Sequence, residues 1–173
     1  MFLETKRLIL RKPIMEDFDR FWGMINDPIA KEYTGGVTRL IYRKRQALFE
    51  QECSLEFSAN GAEFAVIEKE CGIYIGYCGF RYSEKLCGRE FLFGYCRDSW
   101  GKGYATEAAY AVLEFLFKTY SHETYIATVD IENTASKRVL EKVGFVKEDD
   151  VLIYADRIVE KYQLQKCDFL SSL

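Results

Sequence analysis

The chain has little histidine, little proline and no CxxC pair among its six cysteines. With His122 alone, in the SHET turn, neither a Ser/His/Asp triad nor a His pair can be assembled. The cysteines at 53, 71, 78, 87, 96 and 167 are scattered, mostly in apolar, strand-like contexts. That spacing speaks against a disulfide framework or a zinc site and predicts reduced, buried thiols; no metal is expected. Long apolar runs are missing too: none approaches membrane-span length, and MFLETKRLILRK lacks the apolar stretch of a secretory signal. A cytoplasmic protein without a membrane partner is expected. An excess of basic residues is absent, with 24 Lys and Arg against 27 Asp and Glu and a net charge of −3. This disfavours a nucleic-acid partner. The locally basic RLIYRKRQAL (39–48) reads as a solvated helix face, with phosphate or substrate contact as the lesser reading. No repeat or linker rich in Pro or Gly divides the 173 residues, 49% of them hydrophobic, so one domain over 1–173 is expected.

What is present is a regular succession of elements. TKRLILRK (5–12) alternates as a first strand, and Phe18, Phe21, Trp22 and Ile25 mark a helix over 15–27. A second helical region covers roughly 38–58 and ends at the turn of Asn60 and Gly61. EFAVIEK (63–69), GIYIGYCGFRYSE (72–84) and REFLFGYC (89–96) follow with linkers too short for a crossover helix, hence an antiparallel meander. Apolar residues at 105, 108, 109, 112, 113 and 116 predict an amphipathic helix to about Tyr120, followed by the strand TYIATVD (124–130). Another helix starts at Asn133 or Thr134 as cap and stops at Gly144, before two last strands, FVKEDDVLI and VEKYQLQKC. The sum is an α/β (α+β) domain: a mixed, mostly antiparallel sheet of six to seven strands with about four helices.

WGKGYATEA (100–108) places two glycines and a lysine at the mouth of the third helix. Unpaired amides backed by the helix dipole bind phosphate, and Lys102 adds a point charge. The spacing is not GxxxxGK[ST], and Thr106 stands where GxGxxG needs its third glycine, so Walker and dinucleotide loops are excluded. By itself the stretch reads more readily as a tight turn than as a phosphate site.

WGKGYATEA, with a strand before it, an Ala-rich helix after it and TVDIENTASKRVLEKVGF further on, resembles the GNAT superfamily of acetyl-CoA-dependent N-acetyltransferases. The opening LETKRLILRKPIMEDFDRFWGMINDP resembles its branch containing the ribosomal-protein N-terminal acetyltransferases, so the likeness covers nearly the whole chain. The superfamily loop Q/RxxGxG/A falls on Trp100, Gly101, Lys102, Gly103, Tyr104 and Ala105, with Trp in the first place. The resemblance implies that amides of residues 100–106, through Thr106, hold the coenzyme A pyrophosphate. It also implies a splay between strands 4 and 5, where pantetheine pairs with the backbone of Phe93 and Tyr95. Arg97 stands where the family often has Pro.

Amide formation from a thioester requires a group to take the amine's proton and one to protonate the departing thiolate. The resemblance puts Glu90 at the base position when counted back from Trp100; aligning the GlyTyr pair instead puts Leu92 there, and a plain solvent-facing strand glutamate is the alternative for Glu90. NTAS matches the family's NxxS. Ser136 is the candidate acid toward sulfur, or it back-bonds to a helix carbonyl; Asn133 caps the helix, contacts pantetheine, or both. Arg138, with Lys137, reaches the phosphates or faces water, and Tyr104 and Phe145 line the coenzyme or pack. Cys96 as an acyl-accepting nucleophile would need a nearby base, and none is evident. Direct attack of an amine on acetyl-CoA in a ternary complex is the expected mechanism, with a protein N-terminus or a small amine as acceptor. Asp156 and Arg157 in ADRIVE offer an acidic acceptor turn. A coenzyme-binding sensor without turnover is the competing class, and a homodimer is a mild expectation.

Overall fold

A computed structural model describes residues 2–154 and 157–171. Its strands are β1 (Phe2–Glu4), β2 (Leu8–Arg11), β3 (Gly61–Glu68), β4 (Ile73–Ser83), β5 (Gly88–Tyr95), β6 (Thr124–Asp130), β7 (Val146–Tyr154) and β8 (Arg157–Gln165). The α-helices are α1 (Phe18–Ile25), α2 (Tyr42–Ser54), α3 (Tyr104–Thr119), α4 (Thr134–Lys142) and α5 (Lys166–Ser171). One sheet runs β1-β2-β3-β4-β5-β6-β8-β7. Every adjacent pair is antiparallel except β5 and β6, which are parallel.

The mixed, mostly antiparallel architecture is the expected one, with eight strands instead of six or seven and five α-helices instead of about four. The extra strand comes from Thr5. Its hydroxyl oxygen accepts from the Leu8 amide at 3.0 Å and its own amide donates to the Leu8 carbonyl at 3.0 Å. This turn shortens the strand expected over 5–12 to 8–11 and folds 2–4 back along it as an added strand. At the other end, Lys166 and Cys167 leave the expected last strand for α5, which buries Phe169 with its ring 5.4 Å from that of Phe117. The second helix is shorter than expected, beginning at Tyr42 and ending at Ser54.

Alternation along the strands gives the sheet two packed faces. One carries Phe64, Phe80, Phe91 and Tyr125 beneath Val112, Leu113 and Leu116 of α3 and Leu140 of α4. The other carries Ala65, Ile67 and Tyr74 beneath Phe18 and Phe21 of α1 and Phe49 of α2. Each large apolar side chain so buried contributes roughly 1.5–3 kcal/mol. Of the six free thiols, only Cys78 and Cys96 are buried; Cys53 is half-buried and Cys71, Cys87 and Cys167 are exposed. The expectation of buried thiols therefore holds for two positions, because the others fall in turns and at helix surfaces.

Two features of the sheet position the site. Eight residue pairs join β4 to β5 and seven join β6 to β8, but β5 meets β6 only at Glu90 and Ile126. Beyond that pair the strands part. This is the opening expected between the fourth and fifth strands, here β5 and β6 because β1 precedes the expected first strand. Gly79 lies in register between Glu63 and Leu92. A Cβ there would meet the Ala62 carbonyl oxygen at 2.0 Å, so the sheet floor between those two side chains stays bare.

Candidate active site

The loop before α3 is anchored from three directions. The Trp100 indole N–H donates to the Tyr95 carbonyl at 2.9 Å, fixing the loop to the end of β5. Arg7 donates from Nη1 to the Lys102 carbonyl at 2.8 Å and from Nε to Glu107 at 2.7 Å. Glu107, in the first turn of α3, also accepts from the Thr5 hydroxyl at 2.6 Å. Burial alone would raise the Glu107 carboxyl, but hydrogen bonds from Thr5 and Arg7 outweigh it and hold the group below its ordinary value. Gly101 and Gly103 take the left-handed conformation, φ 75° and 79°.

That geometry leaves the loop amides free. A trans peptide points its C=O and N–H in opposite directions, so pulling the Lys102 carbonyl toward Arg7 turns the Gly103 N–H the other way. Among the described residues, none of the amides of Gly101, Lys102, Gly103, Tyr104, Ala105 and Thr106 has a hydrogen-bond partner. The first helix-internal type of bond at this end is Glu107 N–H to the Gly103 carbonyl, 3.1 Å. Nothing lies within 4 Å of a Cβ built on Gly101. The cradle is open, donor-rich and backed by the dipole of a sixteen-residue helix, which fits a pyrophosphate. Tyr104 turns away from it: its hydroxyl donates to Glu68 and its ring lies 4.6 Å beneath the Arg7 guanidinium. Tyr104 therefore packs. Phe145 packs as well, its ring 5.6 Å from that of Phe91.

The splay opens along this loop's strand, from beyond Glu90 to its end at Tyr95. Cys96 N–H donates to the Ile75 carbonyl on the β4 side at 2.9 Å. By the two-residue alternation of an antiparallel ladder, the backbones of Phe93 and Tyr95 face the other way, toward the gap. The Tyr95 carbonyl already accepts from Trp100, so the Phe93 amide and carbonyl are the groups most open to an added extended chain.

Glu90 and Ser136 flank the gap from opposite faces of the sheet. Glu90 lies on the α1/α2 face and is only 6% exposed, so it is not a solvent-facing strand residue. It accepts from the Thr128 hydroxyl across the splay at 2.8 Å, and Arg81 lies 3.9 Å from its other oxygen. Leu92, the other register candidate, lies on the same face, half-buried, and also lines the cavity. Across the gap, Asn133 caps α4 by accepting from the Ser136 amide at 3.0 Å. The Ser136 hydroxyl makes no hydrogen bond among the described residues, so it does not back-bond to its helix. Lys137 is committed elsewhere, to Glu160 at 2.8 Å. Arg138 is exposed at the helix surface.

A cavity of about 900 Å3 joins these groups, running through the splay from Ser136, Asn133 and Phe93 to the floor beneath α1 and α2. On that floor, Tyr77 lies over Gly94, where a Cβ would stand 2.7 Å from its ring; burial pushes its hydroxyl up to about 12. Arg45 lies 4.5 Å over the Phe21 ring and pairs with Glu52 at 2.9 Å. The basic run 39–48 is thus not wholly a solvated face: Arg39, Arg43 and Lys44 are exposed, while Arg45 turns inward onto aromatic rings. Tyr33, Thr34, Gly35 and Gly36 of the α1–α2 connection line the cavity. Arg157 ties this connection down, donating to the Glu32 carbonyl at 2.8 Å and from Nε to Asp130 at 3.1 Å. Asp156 lies outside the described residues.

Two further candidates have structural roles. Cys96 is buried in the α1/α2 core, and burial raises its thiol above the ordinary value, the opposite of what a nucleophile needs. His122 is buried, with Nδ1 3.0 Å from the Tyr125 hydroxyl and its ring stacked on Tyr120. Arg7, Thr128, Arg81 and Glu63 were not singled out by the sequence; of the groups around them, only Glu107 carried a signal, as an acidic residue in a helix's first turn. Among the described residues, no group of three or more His, Cys, Asp or Glu could hold a metal ion, and no helix is long and apolar enough to cross a membrane.

Comparison with known proteins agrees with this geometry. Residues 7–146 match the acetyltransferase (GNAT) domain family. Among curated proteins, the chain is 34% identical over 149 residues to the uncharacterized N-acetyltransferase p20 of Bacillus licheniformis, covering 84% of this chain and 83% of that one. It is 28% identical over 155 residues to the uncharacterized N-acetyltransferase YnaD of Bacillus subtilis, covering 86% and 84%. Among solved structures, a GNAT-family acetyltransferase from Bacillus anthracis superposes with a TM-score of 0.78 at 24% identity, covering 96% of this chain and 99% of that one. Spermidine N-acetyltransferase from Vibrio cholerae, solved in complex with CoA and spermine, superposes with a TM-score of 0.80 at 17% identity, covering 96% and 99%. A family match over most of the chain, together with the parted strands and the donor-rich loop, makes this protein a member of the GNAT acetyltransferase family and an N-acetyltransferase.

Proposed function

We propose that the protein transfers the acetyl group of acetyl-CoA to a primary amine by direct attack within a ternary complex. The observation that carries this reading is the cavity running through the splay, with Glu90 on one face and Ser136 on the other, together with the unpaired amides of the α3 loop that follows β5. Bound acetyl-CoA supplies the thioester. Gly101 to Thr106 hold its pyrophosphate through backbone amides, with Lys102 and Arg138 adding positive charge, and Phe93 and Tyr95 offer backbone to the pantetheine arm. Asn133 contacts that arm while capping α4.

The amine must be neutral to attack, and Glu90, held by Thr128 and Arg81, takes its proton directly or through a water. As the new C–N bond forms and the C–S bond breaks, the Ser136 hydroxyl protonates the sulfur and regains a proton from water, while Glu90 returns the amine's proton to solvent. The acceptor enters on the α1/α2 face. A small amine is favoured over a protein N-terminus because residues 33–36, which line the cavity, follow Glu32, whose carbonyl Arg157 holds.

Steady-state release of free thiol from acetyl-CoA, screened over primary amines and short peptides, tests the reading. Turnover is expected with amines and not with the coenzyme alone. Tight coenzyme binding without turnover on any acceptor would favour the sensor reading instead.

A further inference from the structure

Glu90 reaches to both sides of its own strand. One carboxylate oxygen, Oε2, lies toward β4, with Nε of Arg81 3.9 Å away, and the other, Oε1, lies toward the splay, where it accepts from the Thr128 hydroxyl of β6 at 2.8 Å. Glu90 is buried, whereas Thr128 is half-buried and lines the cavity. The carboxylate therefore shows the gap little surface of its own. On the gap side a hydroxyl stands before it.

The register places that hydroxyl. The strands β5 and β6 pair only at Glu90 and Ile126, and side chains two residues apart share a face, so Thr128 stands on the α1/α2 face, ~7 Å beyond Ile126 along β6. That is the first row after the strands part. Thr128 is held from its other edge by the ladder to β8, where it pairs with Lys161, and its neighbours Ala127 and Val129 are buried in the opposite face. A β-branched side chain on a strand so fixed has restricted χ1 freedom. A hydroxyl has one proton to donate and two lone pairs that accept. The proton goes to Glu90, and among the described residues the Thr128 oxygen makes no second side-chain hydrogen bond, so its acceptor capacity is left for a group in the gap.

We propose that Thr128 is a catalytic residue that relays the proton: the acceptor amine, seated in the splay, donates N–H to Thr128 Oγ1, and Glu90 receives the proton that Thr128 gives up. This rests on the acetyl-transfer reading and names the group that bridges amine and base. As the nitrogen bonds to the acetyl carbon, its N–H bond breaks toward Oγ1 while the Oγ1–H bond breaks toward Oε1 of Glu90. The electrons of the N–H bond stay on nitrogen, no alkoxide forms, and Thr128 ends as the hydroxyl it began. Glu90 then gives its proton to solvent.

Single-turnover rates with acetyl-CoA and an accepted amine, measured in graded mixtures of H2O and D2O, test the relay. A bowed dependence on deuterium content, the mark of more than one proton in flight, is expected for the wild-type protein and for Thr128→Ser, and a straight line for Thr128→Val. The valine variant should lose about tenfold or more in kcat, with the KM for acetyl-CoA within about twofold of the wild type, and the serine variant should run at least about fivefold faster than the valine one. Because groups that act as a unit do not add, the double variant Glu90→Gln, Thr128→Val should be within about threefold of Glu90→Gln alone. A straight wild-type line, a valine variant as fast as the wild type, or a serine variant as slow as the valine one overturns the relay, while a slow Glu90→Gln still upholds the base. A Glu90→Gln variant as fast as the wild type removes the base and the relay together, and absence of turnover on any acceptor removes both with the transfer reading.

Discussion

Replacing Glu90 with Gln lowers kcat by about tenfold to a thousandfold, and Ser136→Ala does the same, the range expected when a proton-transfer group is lost. Neither change should disturb the fold. Glutamine still accepts from the Thr128 hydroxyl, and alanine keeps the backbone amide that Asn133 caps. The effect belongs in kcat, with the KM for acetyl-CoA little changed, because neither side chain is part of the loop proposed to hold the pyrophosphate. Steady-state kinetics on both variants at saturating coenzyme reads it. Unchanged rates in both would remove the acid and base assignments while leaving the family and the fold standing.

The double variant Gly101→Ala, Gly103→Ala should act on the other substrate. Both residues sit at φ values that cost a side chain about 1–2 kcal/mol each. The cradle would relax, its amides would no longer converge, and the KM for acetyl-CoA should rise tenfold or more. Stability should fall modestly, read by denaturant unfolding. A KM within twofold of the wild type would mean that the anion is not held by these amides.

The two substitutions probe parts that differed in how plainly the sequence displayed them. The loop was readable because Gly101, Lys102 and Gly103 precede an unbroken helical spacing, and helix periodicity is a strong local signal. The meander was readable from its short linkers. The break at Thr5 was not, since it depends on one hydroxyl bonding to Leu8, and α5 was not, since its six residues are helical only to bring Phe169 into the core. Arg45 looked like part of a solvated basic run because sequence spacing does not reveal the rings of Phe21 and Phe49 that receive it. Glu63 was read only as one residue of a strand. Its place opposite Gly79 is a matter of long-range register, which is not local.

The central claim is that the acetyl group passes directly from coenzyme to amine with both bound. Initial rates measured while acetyl-CoA and an accepted amine are varied together test it most directly. The account predicts intersecting double-reciprocal lines, and intact-protein mass spectrometry after incubation with acetyl-CoA alone should show no added acetyl group. Parallel lines together with an acetyl group on Cys96 would contradict it.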